Sequence, residues 1–349
     1  MISMKEIAEI CGVSVATVSK ALSDKADIGA ETKEYICRKA DELGYLANAS
    51  ARALKTKQTY NIGILFEDEE NSGLTHEFFN AVLDSFKAEA ERSGYDITFI
   101  NRNVYGRQMS YIQHCRYRNV DGVVIACVNF SDPQVLELVE SEIPVVTVDH
   151  VFDTKPAVVS DNCTGMETLV RYAYSKGHRK LAYLYGDPTS VTENRKRGFI
   201  KACRELGLDM SKDVCLTESL YRNRKMCRAN TELLLGAENR PTCILYSEDY
   251  SCNYALKVIQ EYGLRVPEDI SVIGYDDSVF AKLAFPRLAT YHQNAEEIGR
   301  QAAVKLIDYI NNPREFSKDV TTVPGFLVLG DSVLDLNNRK DGGERNDQK

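Results

Sequence analysis

Seven short runs rich in β-branched and other apolar residues recur between residues 61 and 276, with helix-sized stretches between them: "NIGILF", "DITFIN", "GVVIAC", "PVVTVD", "KLAYLYG", "CILYS" and "SVIGYD". Strands that alternate with helices pair in parallel, because each crossover helix returns the chain to the same end of the sheet and covers one of its faces. The runs fall into a group of four and a group of three, which predicts two parallel α/β subdomains with a cleft between them. Sheets of this kind present ligand groups beyond the carboxyl ends of their strands. The polar residues at those points are Asp149 after "VVTV", Glu248 and Asp249 after "CILYS", and Asp276 after "SVIGY"; Arg195 starts the helical stretch "RKRGFIKACREL" after another strand. Carboxylates that accept from pairs of hydroxyls suit a sugar, so these residues are candidate ligand contacts. Tyr221 joins them as a ring that could stack on a sugar, against the alternative of an ordinary surface tyrosine. The competing use for each acid is to cap the helix that follows. The acidic run "EDEE" at 67–70 reads as a solvated loop.

The first sixty residues follow a different pattern. Ser3 can cap a helix reaching about Ile10, with Ile7 and Ile10 on one face and Gly12 as the turn that ends it. Ser14 caps a second helix, Val15 to about Leu22, which turns Val18, Ala21 and Leu22 inward and leaves Val15, Ala16, Ser19 and Lys20 on the other side. A third runs from about Ala30 to Leu43, with Ile36, Ala40 and Leu43 at helical spacing and Gly44 as the stop. Three helices in so short a segment enclose a very small core, which fits a helix-turn-helix module. The stretch "YLANASARALKTKQTY" at 45–60 is polar, small and basic. Asn48 could cap a helical turn through Leu54, which would form only with a partner. Leu54 either wedges into a minor groove or tacks the linker onto the next domain.

Charge supports the division. The formal net charge is −8, yet residues 1–60 carry nine Lys and Arg against eight Asp and Glu, so the acidity belongs to the remainder. Residues 44–60 hold Arg52, Lys55 and Lys57 and no acid, a stretch on which a phosphate backbone could lie. With 44% hydrophobic and 27% charged residues the composition is that of a globular protein, and no apolar run has the length of a membrane span, so a cytoplasmic location is expected. Ten cysteines without a C-x-x-C and five histidines without ligand spacing predict reduced thiols, no metal and no cofactor. No dinucleotide-binding G-x-G-x-x-G follows the first strand, and there is no P-loop and no G-x-S-x-G turn, so no enzymatic activity is expected.

The motifs "MKEIAEICGVSVATVSKAL", "ELGYLANASARAL", "RGFIKAC", "VPEDISVIGYDDS" and "HQNAEEIGRQAAVKLI" together resemble the lactose-repressor and galactose-repressor (LacI/GalR) family of bacterial transcription regulators, from about residue 3 to residue 329. The resemblance implies a helix-turn-helix domain at 1–46, a hinge helix and linker at 47–60, and the bilobed fold of periplasmic sugar-binding proteins at 61–329. The N-subdomain would comprise about 61–160 and 291–319 and the C-subdomain about 161–290 and 320–329. Beyond them a disordered tail at 330–349 is expected from composition, since "NNRKDGGERNDQK" has no apolar content to bury. The resemblance also implies DNA contacts from Val15, Ala16, Thr17, Ser19, Lys20, Asn48, Arg52, Leu54 and Lys55, a homodimer or tetramer on a near-palindromic double-stranded operator, and a small-molecule effector, a carbohydrate, in the cleft. Arg195 matches the position that typically contacts effector hydroxyls or carboxylates. Three departures stand out. Ala47 replaces the usual proline before the hinge helix, Gly29 the usual serine cap of the third helix, and Glu248 the common asparagine, which changes the sense of a hydrogen bond at the effector. A solute-binding or sensor protein without DNA regulation is the alternative, and the first sixty residues are what it would not need.

Overall fold

Ser3 opens helix α1 (Met4–Cys11) with a reciprocal pair of bonds to Glu6, and Gly12 closes it at φ 65°, a left-handed turn that glycine adopts at no steric cost. The Ser14 hydroxyl accepts from Thr17 N–H at 3.1 Å and so starts α2 (Val15–Leu22). Helix α3 (Ala30–Glu42) begins at Gly29 without a side-chain cap. These elements belong to the computed structural model, which describes residues 2–22, 28–45, 58–67 and 73–338 and separates into two units, Met1–Thr59 and Tyr60–Lys349. In the first unit Ile7, Ala8, Val18, Ala21, Ile36 and Ala40 make the core. Ile10, read on the face of Ile7, and Leu43, read at helical spacing with Ile36 and Ala40, are substantially exposed; Ala8 is buried beside Ile7. The hinge, with Ala47, Asn48, Arg52, Leu54 and Lys55, lies outside the described residues.

In the second unit, strands β1 (Asn61–Phe66) and β2 (Asp96–Phe99) precede a small hairpin of β3 (Asn103–Val104) and β4 (Arg107–Gln108), then β5 (Gly122–Ala126), β6 (Val145–Val148) and β7 (Ala157–Ser160). A second group holds β8 (Leu181–Tyr185), β9 (Val214–Glu218), β10 (Cys243–Tyr246) and β11 (Ser271–Ile273), followed by β12 (Thr290–His292), β13 (Val320–Val323) and β14 (Phe326–Val328). The first lobe is a parallel sheet in the order β13-β7-β6-β5-β1-β2, and the second a parallel sheet in the order β11-β10-β8-β9. Central strands such as β5 and β6 are buried along their whole length, because helices cover both faces; hence their continuous apolar sequences. On one face of the first sheet, Val82 and Phe86 of helix Glu77–Arg92 pack with Ala302 and Leu306 of helix Ala295–Asn311. In the second lobe, Leu169 of helix Asn162–Ser175 meets Phe199 and Ala202 of helix Ser190–Glu205.

The chain passes from the first lobe to the second after β7, returns after β12, and passes again between β13 and β14, where β14 pairs antiparallel with β12. Two expected boundaries are corrected. Residues 320–323 belong to the first lobe rather than the second, because β13 pairs in parallel with β7 from Val320↔Ala157 to Val323↔Ser160. Residues 330–338 are ordered and packed against the second lobe, not a disordered tail. Ser332 is fully buried, its hydroxyl donating to Val272 O at 2.7 Å and accepting from Ala289 N–H at 2.9 Å. His178, also buried, bonds Thr242 at 2.9 Å and Leu334 O at 3.1 Å.

Two outcomes follow. Ser332→Ala leaves Ala289 N–H without its acceptor and should cost roughly 1–3 kcal/mol in urea unfolding, the penalty of one unsatisfied buried group. Burial pulls His178 down from the ordinary 6.5 to about 4, so the folded state resists its protonation while the unfolded state does not. The stability this contributes is complete above pH 6.5 and is lost as pH falls toward 4. Melting temperature measured across that range should fall more steeply for the native chain than for His178→Gln.

Candidate functional site

Helix α2 shows which of its side chains are available. Val15, Ala16 and Lys20 are exposed, Ser19 is half-buried, and Val18 and Ala21 are in the core. Thr17 is half-buried and its hydroxyl shares a 2.9 Å bond with Ser14, so its hydroxyl supports the helix start. The exposed face therefore offers one cation and two small apolar groups, the chemistry that contacts phosphate or guanine and thymine methyls.

Across the second unit the strand ends of the two lobes face one another. Helix Ser190–Glu205 places Arg195, 4% exposed, where Nε donates to Asn162 Oδ1 and Nη1 to Ser247 O, both at 2.7 Å, with the guanidinium 3.6 Å from the centre of the Tyr275 ring. Two donors and a stacked face fix the fork before any ligand arrives. Asp149, just past β6 at φ 57°, accepts from Ser160 N–H at 2.8 Å; its backbone oxygen accepts from Ser190 of the other lobe at 3.0 Å. Glu248 Oε1 accepts from Arg222 N–H at 2.7 Å and from Ser251 at 2.9 Å. Asp276 Oδ1 accepts from Gln293 at 2.7 Å. The Tyr221 hydroxyl shares a 3.1 Å bond with Thr192, and its ring lies against Gly186, half-buried rather than on the surface.

Burial raises the pKa of all three of these acids. For Asp149 the Ser160 N–H and Arg195 oppose it. For Glu248 its hydrogen bonds, Arg222 and Arg195 do so. Asp276 is pushed well above the carboxylate range by burial; Arg195 pulls it back while Asp249 and Glu248 push it further. Arg195 thus acts on Asp149, Glu248, Asp276 and Tyr221 alike, which brings five of the six expected contacts into one electrostatic neighbourhood.

Asp249 is the exception and a correction. It is fully buried, Oδ2 accepting from Ser278 N–H at 2.8 Å and Oδ1 from the Thr290 hydroxyl at 2.7 Å. Both oxygens are used inside the lobe, so it is a clamp and not an effector contact. A β-carbon at position 274 would collide with Oδ1, which is why the motif "VIGYDD" carries glycine there. Burial raises its pKa to about 7, against the bonds from Ser278 and Thr290.

A cavity between the lobes is lined by His76, Glu77, Phe78, Arg222, Glu248, Tyr250, Asp276, Asp277, Phe280, Lys282, His292, Gln293 and Glu296, among others. Of the expected residues only Glu248 and Asp276 reach it. Glu77 spans the lobes, accepting from Val279 N–H at 2.8 Å. Asn162, Gln293 and Glu77 were not expected. Gln293 lies within the recognised "HQNAEEIGRQAAVKLI", whereas nothing in the residue pattern singles out Asn162 or Glu77. Glu67 is exposed, as expected, and accepts from the Tyr111 hydroxyl and from Arg102; the rest of the acidic run lies outside the described residues. Asp249→Ala should destabilise the second unit by about 1–3 kcal/mol for each buried donor it strands. A denaturant midpoint equal to that of the native chain would contradict the clamp.

Comparison with known proteins agrees with this division. Residues 3–48 match the family "Bacterial regulatory proteins, lacI family", and residues 170–333 match the periplasmic binding protein-like domain. The HTH-type transcriptional repressor PurR of Serratia proteamaculans (strain 568) is 30% identical over 342 residues, 96% of this chain and 98% of the relative. PurR of Vibrio vulnificus (strain CMCP6) is 28% identical over 343 residues, covering 97% and 100%. Among solved structures, the Lac repressor dimer bound to operator and the anti-inducer ONPF superposes with a TM-score of 0.77 at 22% identity, over 95% of this chain and 99% of that one. The regulator CelR in complex with cellobiose gives 0.68 at 22% identity, over 95% and 100%. An identity of 30% sustained over almost the full length of both chains, with the lacI match falling on the three helices that present α2, shows that this chain belongs to the lacI family of bacterial regulatory proteins.

Proposed function

We propose that the protein acts in the cytoplasm as a homodimeric repressor that places two copies of α2 in successive major grooves of a near-palindromic operator, and that a small polar molecule, of the carbohydrate class, bound between the lobes sets operator affinity. The observation that carries this reading is the presence in one chain of an exposed, cation-bearing helix of the lacI type and a two-lobed unit whose strand-end carboxylates surround Arg195. Lys20 donates to guanine or phosphate, Val15 and Ala16 contact thymine methyls, and Ser19 and Thr17 flank them. The basic hinge, with Arg52 and Lys55, meets the phosphate backbone, and Leu54 is the wedge that kinks the duplex when the hinge folds from Asn48. Acidity confined to the second unit leaves the DNA-facing part near neutrality, so the overall negative charge does not oppose binding.

The lobes meet through Ser190–Asp149 and Val279–Glu77, bonds that a ligand in the cavity would reweight as the cleft closes. A solved lacI-family regulator from Enterococcus faecium contains bound ribose, and the CelR structure contains cellobiose, which supports a carbohydrate here. The reading carries no catalytic step.

Selection of operator sequences from a random DNA pool provides the target for the test. Lys20→Ala should weaken binding to it by about 1–3 kcal/mol if the lysine reads a base, and evenly across all sequences if it holds a phosphate. Removal of residues 1–60 should abolish operator binding while ligand-induced stabilisation persists; operator binding by the shortened protein would defeat the reading.

A further inference from the structure

The residues that line the interlobe cavity suit a ligand with more donors than acceptors. Five of the lining residues are carboxylates, against the cations Arg222 and Lys282. Both cations already face an acid: Lys282 Nζ is 3.4 Å from Asp277, and Arg222 Nε is 4.0 Å from Glu248. Asp276 and Asp277 follow β11, and His292 and Gln293 end and follow β12; a bridge between Asp276 and His292 holds the two segments side by side. Gln293 is 4% exposed and spends its amide N–H on Asp276, which fixes the orientation of the amide and leaves its Oε1 buried with no hydrogen bond. Asp277, which lines the same cavity, has its Oδ1 likewise buried and unbonded, while Oδ2 faces His292 at 3.1 Å. Buried acceptors in native proteins are nearly always satisfied, so two orphans on residues that line one cavity mark where a ligand donates.

Resting on the effector reading above, we propose that the effector carries a protonated amine, as an amino sugar does, and that its ammonium seats against Asp276, Asp277 and Gln293. An ammonium has three donors and no acceptor, which matches three acceptors; a hydroxyl would bring one donor and leave its own lone pairs facing carboxylates. A cation there also offsets the burial of Asp276 and its repulsion by Glu248, a cost that Arg195, committed to Asn162 and Ser247, only partly relieves. An anionic group at the same point would meet the excess of carboxylates unshielded.

The test is calorimetric titration of the full chain with matched pairs of sugars, D-glucosamine with D-glucose, D-galactosamine with D-galactose and D-mannosamine with D-mannose, together with D-glucose 6-phosphate. At least one amino sugar should bind about tenfold or more tightly than its hydroxyl partner, the order of one charge-assisted hydrogen bond. Asp276→Asn, which keeps the shape and removes the charge, should bring that ratio close to one, and Gln293→Leu should reduce it. Neutral or phosphorylated sugars that bind as well as or better than every amino sugar would overturn the proposal and leave the carbohydrate-sensor reading standing. Failure of the whole panel to bind would reject the carbohydrate reading and this inference with it.

Discussion

The geometry of the second lobe depends on one buried carboxylate. Asp249 sits at the first turn of the helix that follows β10, and its two oxygens hold Ser278 in the loop after β11 and Thr290 on the strand that leads out of the lobe. A desolvated acid is expensive unless each oxygen is used, and here each is. The arrangement determines where Asp276 and Asp277 emerge, at φ 112° and 56°, conformations that a non-glycine residue holds only when its surroundings impose them. It also determines where β12 ends, and with it the position of His292 and Gln293. The cleft is thus set by an acid that does not reach it.

Arg195 plays the complementary part. Its hydrogen bonds run to the helix that begins just after the chain first enters the lobe and to the backbone just past β10, so the guanidinium joins two strand ends before it meets any ligand. Three acids, Asp149, Glu248 and Asp276, feel its charge, which opposes the rise that burial imposes on each of them.

Much of the architecture was legible because periodicity and capping are local. The seven apolar runs are strands, and Ser3, Gly12 and Ser14 bound the first two helices as expected. β7, β9 and β12 to β14 are no shorter than β11, which was legible; they escaped because pairing rather than a local apolar run defines them, as β13 is defined by β7. The site was legible as a list of strand-end residues and not as a set of roles. Glu248 and Asp249 are neighbours of similar chemistry at one helix start, yet one lines the cavity and the other is sealed beneath Gly274, a distinction fixed by how β11 and β12 pack over them. Glu77 and Asn162 belong to the site only through contacts across the lobes or across the crossover. The apolar content of the segment after residue 329 gave too weak a signal to announce that Ser332 would be fully enclosed.

That segment has a consequence for biosynthesis. Neither lobe is contiguous in the chain: the first waits for β13 to complete its sheet edge, and the second waits for Ser332 and Leu334 to satisfy groups on β11, on His178 and at the start of β12. The three-helix unit, whose apolar core among the described residues is drawn from Ile2 to Tyr45, can form soon after that segment leaves the ribosome. During translation a nascent chain therefore carries a finished helix-turn-helix module long before the lobes that would regulate it can close, and the order of synthesis puts recognition ahead of control.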